Sequence, residues 1–281
     1  TESPISGTFS GSGKGISPSS GEALARIQLP DVRYAGRTVE RVNGTVRVAR
    51  GRAGIGVRGV LQGGRLALQA DARPFGPTKT VYLRSATLTG GDLGTFFGRP
   101  DLAGPVTFSI TGSGRSRGDE RRFQGHLVLE PSRLGRFRIS RGGVGFRLDG
   151  DRFKYDGSVL SNAGAIALDG EAHGLSGTPT FSVRHGRADS VDLGALAGRP
   201  DIATAVNARF SGTVTSGRAD SASARLSLDL LPSSINRAQV DGGRLDAQLD
   251  RGLVQGSVRV TGRDGELTAR VDGQKSGGNS R

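Results

Sequence analysis

The sequence has no cysteine, no methionine and no tryptophan, and only 3 tyrosines and 11 phenylalanines among 281 residues. Without cysteine there are no disulfides, no thiolate metal sites and no thiol nucleophile. No apolar run approaches the roughly 18 residues that a membrane helix requires. Three histidines (His126, His173 and His185) fit no metal-ligand spacing, and no His-x-x-x-His pair occurs. Position 1 is Thr and no signal peptide is visible, so the chain reads as processed or as a piece of something longer.

What is abundant is glycine and arginine. The 47 glycines are far above ordinary usage of roughly 7%. They show no three-residue period, and with 11 prolines collagen is excluded. Lys+Arg is 39 against 26 Asp+Glu, a formal charge of +13. Only Lys14, Lys79, Lys154 and Lys275 are lysines, so the basic residues are almost all arginine.

Between the glycines run short segments of alternating character: Thr45–Val48, Arg65–Gln69, Arg225–Asp229 and Ser257–Val260. Side chains on a strand alternate between faces, so each segment puts apolar residues on one side and polar residues on the other. Gly63-Gly64, Gly142-Gly143, Asp149-Gly150, Asp156-Gly157, Asp169-Gly170 and Gly242-Gly243 are hairpin-turn signals in this setting. The reading is all-β, mostly antiparallel, with many short strands. Two segments differ. Asp92-Leu93-Gly94 and Asp192-Leu193-Gly194 open with a capping residue, and each leads to Gly-Arg-Pro at 98 and 198. An Asp N-cap with Gly and Pro beyond predicts one or two helical turns.

Those two segments are near copies 100 positions apart. The likeness continues: Phe108-Ser109-Ile110-Thr111-Gly112-Ser113-Gly114-Arg115 resembles Phe210 through Arg218, and Phe9-Ser10-Gly11-Ser12-Gly13-Lys14 is a third version. Prolines 30, 131 and 232 follow each copy at equal spacing. The organisation reads as a partial first repeat (1–91), a second (92–191), a partial third (192–273) and a polar tail or linker (274–281). Stacked strand sets of this kind predict an elongated, curled sheet, or trough, in which each unit rests on its neighbour.

Literal motif matches fail on context. Gly54-Ile55-Gly56-Val57-Arg58-Gly59 fits G-x-G-x-x-G, but a strand and turn follow where a dinucleotide site needs a helix. Around Gly11–Gly15 a phosphate loop would need Gly where Thr8 stands and Ser or Thr where Gly15 stands. Gly142–Arg147 resembles a calcium β-roll repeat with Arg147 in place of the ligating Asp. No Gly-x-Ser-x-Gly elbow supplies a nucleophile. The reading is non-enzymatic, with no catalytic residues, no metal and no cofactor. Arginines such as Arg47, Arg58, Arg147, Arg225 and Arg259 fall on the polar positions of alternating strands without accompanying aromatics, which fits a solvated outer face better than a nucleic-acid platform.

The paired Asp-Leu-Gly…Gly-Arg-Pro-Asp-Leu/Ile segments (Asp92 to Leu102 and Asp192 to Ile202), each running into long Gly-punctuated amphipathic β, resemble the AsmA-like and TamB-like envelope proteins of Gram-negative bacteria. The resemblance implies a trough with an apolar lining that conducts phospholipid, or another acyl-chain lipid, across the periplasm. It implies a parent protein anchored in the inner membrane, contacts with neighbouring repeats, and an outer-membrane protein partner. It supplies no catalytic residues. The alternating apolar positions are the candidate lining: Val46, Val48, Leu66 and Leu68; Phe146, Leu148, Ile166 and Leu168; Leu226, Leu228, Val258 and Val260. Alternation places them equally well in an open groove or in the core of a closed sandwich. The alternatives are a structural or adhesive stalk with a sealed core, and an Arg-rich nucleic-acid binder.

Overall fold

The computed structural model describes residues 7–15, 17, 20–34, 37–118, 120–199, 201–215, 222–236, 238–250, 252–263 and 265–274. Pro200, the Ser216–Arg218 part of the repeat match, and positions 275–281 of the expected tail lie outside them; Gln274 ends the last strand. The chain divides into two compact units, Thr1–Gly150 and Asp151–Arg281. Both are antiparallel β, as the alternation predicts.

In the first unit the strands follow one another as a meander: β1 (Thr8–Lys14), β2 (Glu22–Tyr34), β3 (Arg37–Ala49), β4 (Arg52–Leu61), β5 (Gly64–Arg73), β6 (Lys79–Asp92), β7 (Pro105–Arg117) and β8 (Glu120–Leu129), each paired to the next. After the short β9 (Ser132–Leu134), β10 (Phe137–Asp149) pairs with both β8 and β9. The second unit repeats the plan: β11 (Arg152–Ser161), β12 (Gly164–His173), β13 (Thr180–Val191), β14 (Thr204–Thr215), β15 (Ser223–Leu230), β16 (Ser233–Ile235), β17 (Ala238–Asp250), β18 (Leu253–Gly262) and β19 (Gly265–Gln274). Here β17 pairs with β15 and β16, and β18 lies between β17 and β19. The run from β3 to β6 recurs as β10 to β13 and, through β19, as β17 to β19, shifted by about 100 residues each time.

The repeated Asp-Leu-Gly segments form α1 (Leu93–Phe96) and α2 (Leu193–Ala197), as expected. Asp92 Oδ1 accepts from the Thr95 amide at 2.9 Å and Asp192 Oδ1 from the Ala195 amide at 3.1 Å. The glycine is required by a close approach: a Cβ on Gly94 would strike the Leu102 backbone, and one on Gly194 the Ile202 carbonyl. The following Arg and Asp clamp each other, Arg99 with Asp101 and Arg199 with Asp201, through paired hydrogen bonds of 2.8–3.0 Å. The whole repeated motif is therefore a self-capped turn joining β6 to β7 and β13 to β14.

The prolines mark interruptions. Pro131 separates β8 from β9 and Pro232 separates β15 from β16, whereas β2 runs on through Pro30. Proline offers no N–H to the ladder. The serine after each break repairs it: Ser132 Oγ accepts from the Thr107 amide and Ser233 Oγ from the Asn207 amide, both at 2.9 Å.

The turn expectations divide. Gly63 and Gly150 do turn the chain, with positive φ. Gly142-Gly143, Asp156-Gly157, Asp169-Gly170 and Gly242-Gly243 instead lie inside β10, β11, β12 and β17. These glycines leave room for a neighbour: the Tyr155 ring covers Gly170, and Gly157 stands opposite Leu168. His126 lies within β8, His173 ends β12 and His185 lies within β13.

Candidate functional site: one apolar face on each sheet

In the first unit the cross-strand register lines the apolar positions into continuous rows. Val46 stands between Ala25 and Ile55, and Val48 between Ala23 and Ala53. Leu68 stands between Val57 and Ala86, and Leu66 opposite Leu88. Further along, Phe146 faces Gly125 and Leu148 faces Phe123. The Phe123 and Phe146 rings stack with centroids 5.9 Å apart. All six candidates of this unit share one face.

A bulge keeps that face intact. Between Leu83 and Ala86 the register with β7 slips, so both residues point the same way although three positions apart. Without the extra residue every later side chain would change faces. The second unit has the same device between Val183 and Gly186. In both, the bulged arginine reaches an aspartate on the preceding strand: Arg84 pairs with Asp71 and Arg184 Nη2 lies 3.3 Å from Asp169 Oδ2. His185 Nδ1 approaches the other Asp169 oxygen at 3.0 Å.

In the second unit Ile166 stands between Val159 and Ala188, and Leu168 between Gly157 and Gly186. Leu226 pairs with Gly212 and Ala247, and Leu228 with Phe210 and Leu245. Val258 lies opposite Leu245 and Val260 opposite Gly243. These six candidates also share one face. A trough of about 450 Å³ opens on it, walled by Phe181, Phe210, Val214, Leu226, Leu249 and Val254 with Gly212 between them. Its exposed lining is almost entirely hydrocarbon.

Neither face is covered. None of the twelve candidates is buried, and Ile166 and Leu226 are exposed outright. Leu88 is the one large side chain with no solvent contact among the described residues. Leu88, Val106, Val191, Val206 and Ala208 are buried at the strand ends beside α1 and α2, and the small residues Ala53, Ala70 and Ala172 are buried toward the opposite strand ends. The sheets are single layers, and a single layer with one apolar face leaves that face in solvent.

The opposite face is polar. Arg47, Arg58, Arg147, Arg225 and Arg259 are all exposed on it. Arg147 donates to Gln124 at 3.3 Å, Arg225 to Gln248 at 3.4 Å, and Arg259 pairs with Glu266 at 3.1 Å. Hydrogen bonds from the Arg244 guanidinium and the Ser227 hydroxyl hold the Asp246 carboxyl below the ordinary carboxylate range, and the Arg99 and Arg199 guanidiniums do the same for Asp101 and Asp201. Burial pushes the Tyr155 phenol up, with the Asp169 charge adding to it; its hydroxyl donates to the Ser182 carbonyl at 3.0 Å. Among the described residues no three His, Asp or Glu side chains gather to hold a metal, and no helix is long and apolar enough to cross a membrane.

Sequence reasoning missed the trough walls at Phe181 and Val183, where the β13 bulge breaks the period-two pattern, and at Phe210, which alternates regularly along β14 but was not counted in the lining. The alternation Ala208-Arg209-Phe210-Ser211-Gly212-Thr213-Val214 carried a signal for Phe210, whereas its seat over Gly186, 24 residues away, is set by strand register. No protein-family model, curated protein or solved structure matches this chain.

Proposed function

We propose that the apolar faces carry acyl chains, and that the chain acts as a non-enzymatic lipid-conducting segment of an envelope protein of the AsmA-like or TamB-like kind, working in the periplasm between inner and outer membranes. The observation that carries the reading is that all twelve alternating apolar residues fall on one face of their sheet, with no layer over them. Uncovered apolar surface of this extent marks a binding surface. Each methylene moved from water onto it gains about 0.8 kcal/mol. A half-open trough of hydrocarbon with a polar reverse face binds a chain without enclosing it, which suits passage better than storage. The parent protein's anchorage in the inner membrane and an outer-membrane protein partner belong to the same proposal.

The test is lipid capture. Chain purified from a Gram-negative host should release phospholipid on organic extraction, and a photoreactive residue at Leu148 or Leu168 should form acyl adducts. Adducts to protein segments alone, with no extractable lipid, would favour the sealed stalk instead.

A further inference from the structure

The polar face of the first unit holds a hollow of about 440 Å³, on the side of the sheet away from the apolar lining. Two cross-strand rows floor it. Tyr82, Ser113, Gln124 and Arg147 stand abreast on β6, β7, β8 and β10; Thr80, Arg115, Arg122 and Asp149 form the row beside them. The Tyr82 ring is 63% exposed. Arg122 pairs with Asp149 at 3.1 Å, while Arg147 donates to the neutral Gln124 at 3.3 Å. Among the described residues the Arg115 side chain has no hydrogen-bond or ion-pair partner. Three arginines thus meet one aspartate, and beyond Tyr82 the Asp71 carboxylate is already taken by Arg84.

The repeat marks this grouping as a departure from the common plan. Matching registers make Ser182, Thr215 and Ser223 the counterparts of Tyr82, Arg115 and Arg122 in the second unit. Only the Gln124–Arg147 pair is kept there, with its members exchanged as Arg225 and Gln248. Arg115 and Arg122 are direct cross-strand partners, and like charges so placed repel. The other two copies avoid this: Thr215 faces Ser223, and Lys14 faces Glu22 with their charged atoms 3.6 Å apart. The first unit therefore carries a charge repulsion that Asp149 offsets for Arg122 alone, next to an exposed ring. A bound anion would relieve it.

We propose that this hollow is a binding site for a phosphorylated sugar, either free or at the head of a lipid. The phosphoryl oxygens accept from the Arg115 and Arg147 guanidiniums, whose planar forks suit that geometry and whose charge the site leaves uncompensated. The C–H face of the sugar lies on the Tyr82 ring, an amphipathic surface. Its hydroxyls meet the Ser113 hydroxyl and the Gln124 amide, the next two side chains in the row. A nucleobase would need an apolar wall on both sides, and the hollow offers one ring beside polar groups. A sugar has the same division, one hydrocarbon face and a rim of hydroxyls. The volume falls within the range of small-molecule sites. The site lies on the face opposite the acyl surface and does not depend on it.

Calorimetric titration of the whole chain with glucose 6-phosphate should show one site per chain. Glucose alone and inorganic phosphate alone should each bind about tenfold more weakly or worse, since each lacks one half of the recognition. Arg115→Thr should weaken binding about tenfold, as the loss of one charge-assisted contact. Tyr82→Ser, Arg115→Thr and Arg122→Ser together install what the second unit holds at the same places, so the sheet accepts them. That triple variant should keep the parent's circular dichroism and lose binding. Soluble inositol phosphate and phosphatidylcholine vesicles carrying phosphatidylinositol phosphate, each competed against glucose 6-phosphate, separate a free ligand from a lipid headgroup by which displaces it at the lower concentration. No binding of glucose 6-phosphate, binding that survives the triple variant, or inorganic phosphate binding as tightly as the phosphorylated sugar overturns the proposal.

Discussion

The ring of Phe210 lies directly over Gly186 on the neighbouring strand, in the space a side chain there would fill. The same arrangement recurs with Phe146 over Gly125 and Phe123 over Gly114. A ring laid down on a glycine lets a single-layer sheet shield part of its apolar face without a second layer. Gly186→Ala should push the ring aside and cost about 1–3 kcal/mol, the range for overpacking. Urea unfolding would measure it; an unchanged midpoint would mean that the ring is free to move.

Packing of large side chains should be felt most at the helix end, where Leu88 is fully buried. Leu88→Ala empties a fully buried site and should cost about 3 kcal/mol or more. Leu66→Ala, directly across the ladder but half-exposed, should cost less than half of that. Equal losses in thermal or denaturant unfolding would point to a closed core over both.

The repaired proline breaks give a third test. Ser233 is buried, and its hydroxyl both receives the Asn207 amide and donates to the Leu231 carbonyl at 2.6 Å. Ser233→Ala leaves that amide without an acceptor, at a cost of about 1–3 kcal/mol. Ser233→Thr, which keeps the hydroxyl, should recover part of the loss. If alanine and threonine behave alike, the hydroxyl is not what closes the break.

Acid should weaken the fold through its hydrogen-bonded aspartates, three at the turns and one in β17. The Thr95 amide holds the Asp92 carboxyl below its ordinary value, and arginine partners hold Asp101, Asp201 and Asp246 down. A carboxyl depressed in the fold stabilises fully above the unfolded value, near pH 4, and that contribution disappears as pH falls through the depressed folded value. Melting temperature should therefore fall between pH 5 and pH 2. Asp92→Ala should cost about 1 kcal/mol at neutral pH as a lost N-cap and should flatten part of the acid slope. A variant with the parent's slope would remove Asp92 from this account.

Much of this architecture was legible from residue order. Val46-Arg47-Val48 and Leu226-Ser227-Leu228 alternate because one side of the sheet is apolar, and Asp92-Leu93-Gly94 announces its cap. What could not be read was register. Gly157 and Gly170 look like turn residues beside their aspartates, yet they sit mid-strand, Gly157 opposite Leu168 and Gly170 beneath the Tyr155 ring. That neighbour is 11 to 15 residues away and is fixed by pairing alone. Likewise the bulges at Arg84-Ser85 and Arg184-His185 cost the pattern its phase, hiding Phe181 and Val183 from the lining they help to build.

The central claim is that one face of each sheet meets acyl chains and the other does not. Leu226 and Arg225 are adjacent in sequence and point to opposite faces. A photoreactive residue placed at each in turn, irradiated in phospholipid vesicles or in the periplasm, should give lipid adducts at 226 and essentially none at 225. Equal labelling at both positions, or labelling at neither while 226 crosslinks to protein, would contradict the account.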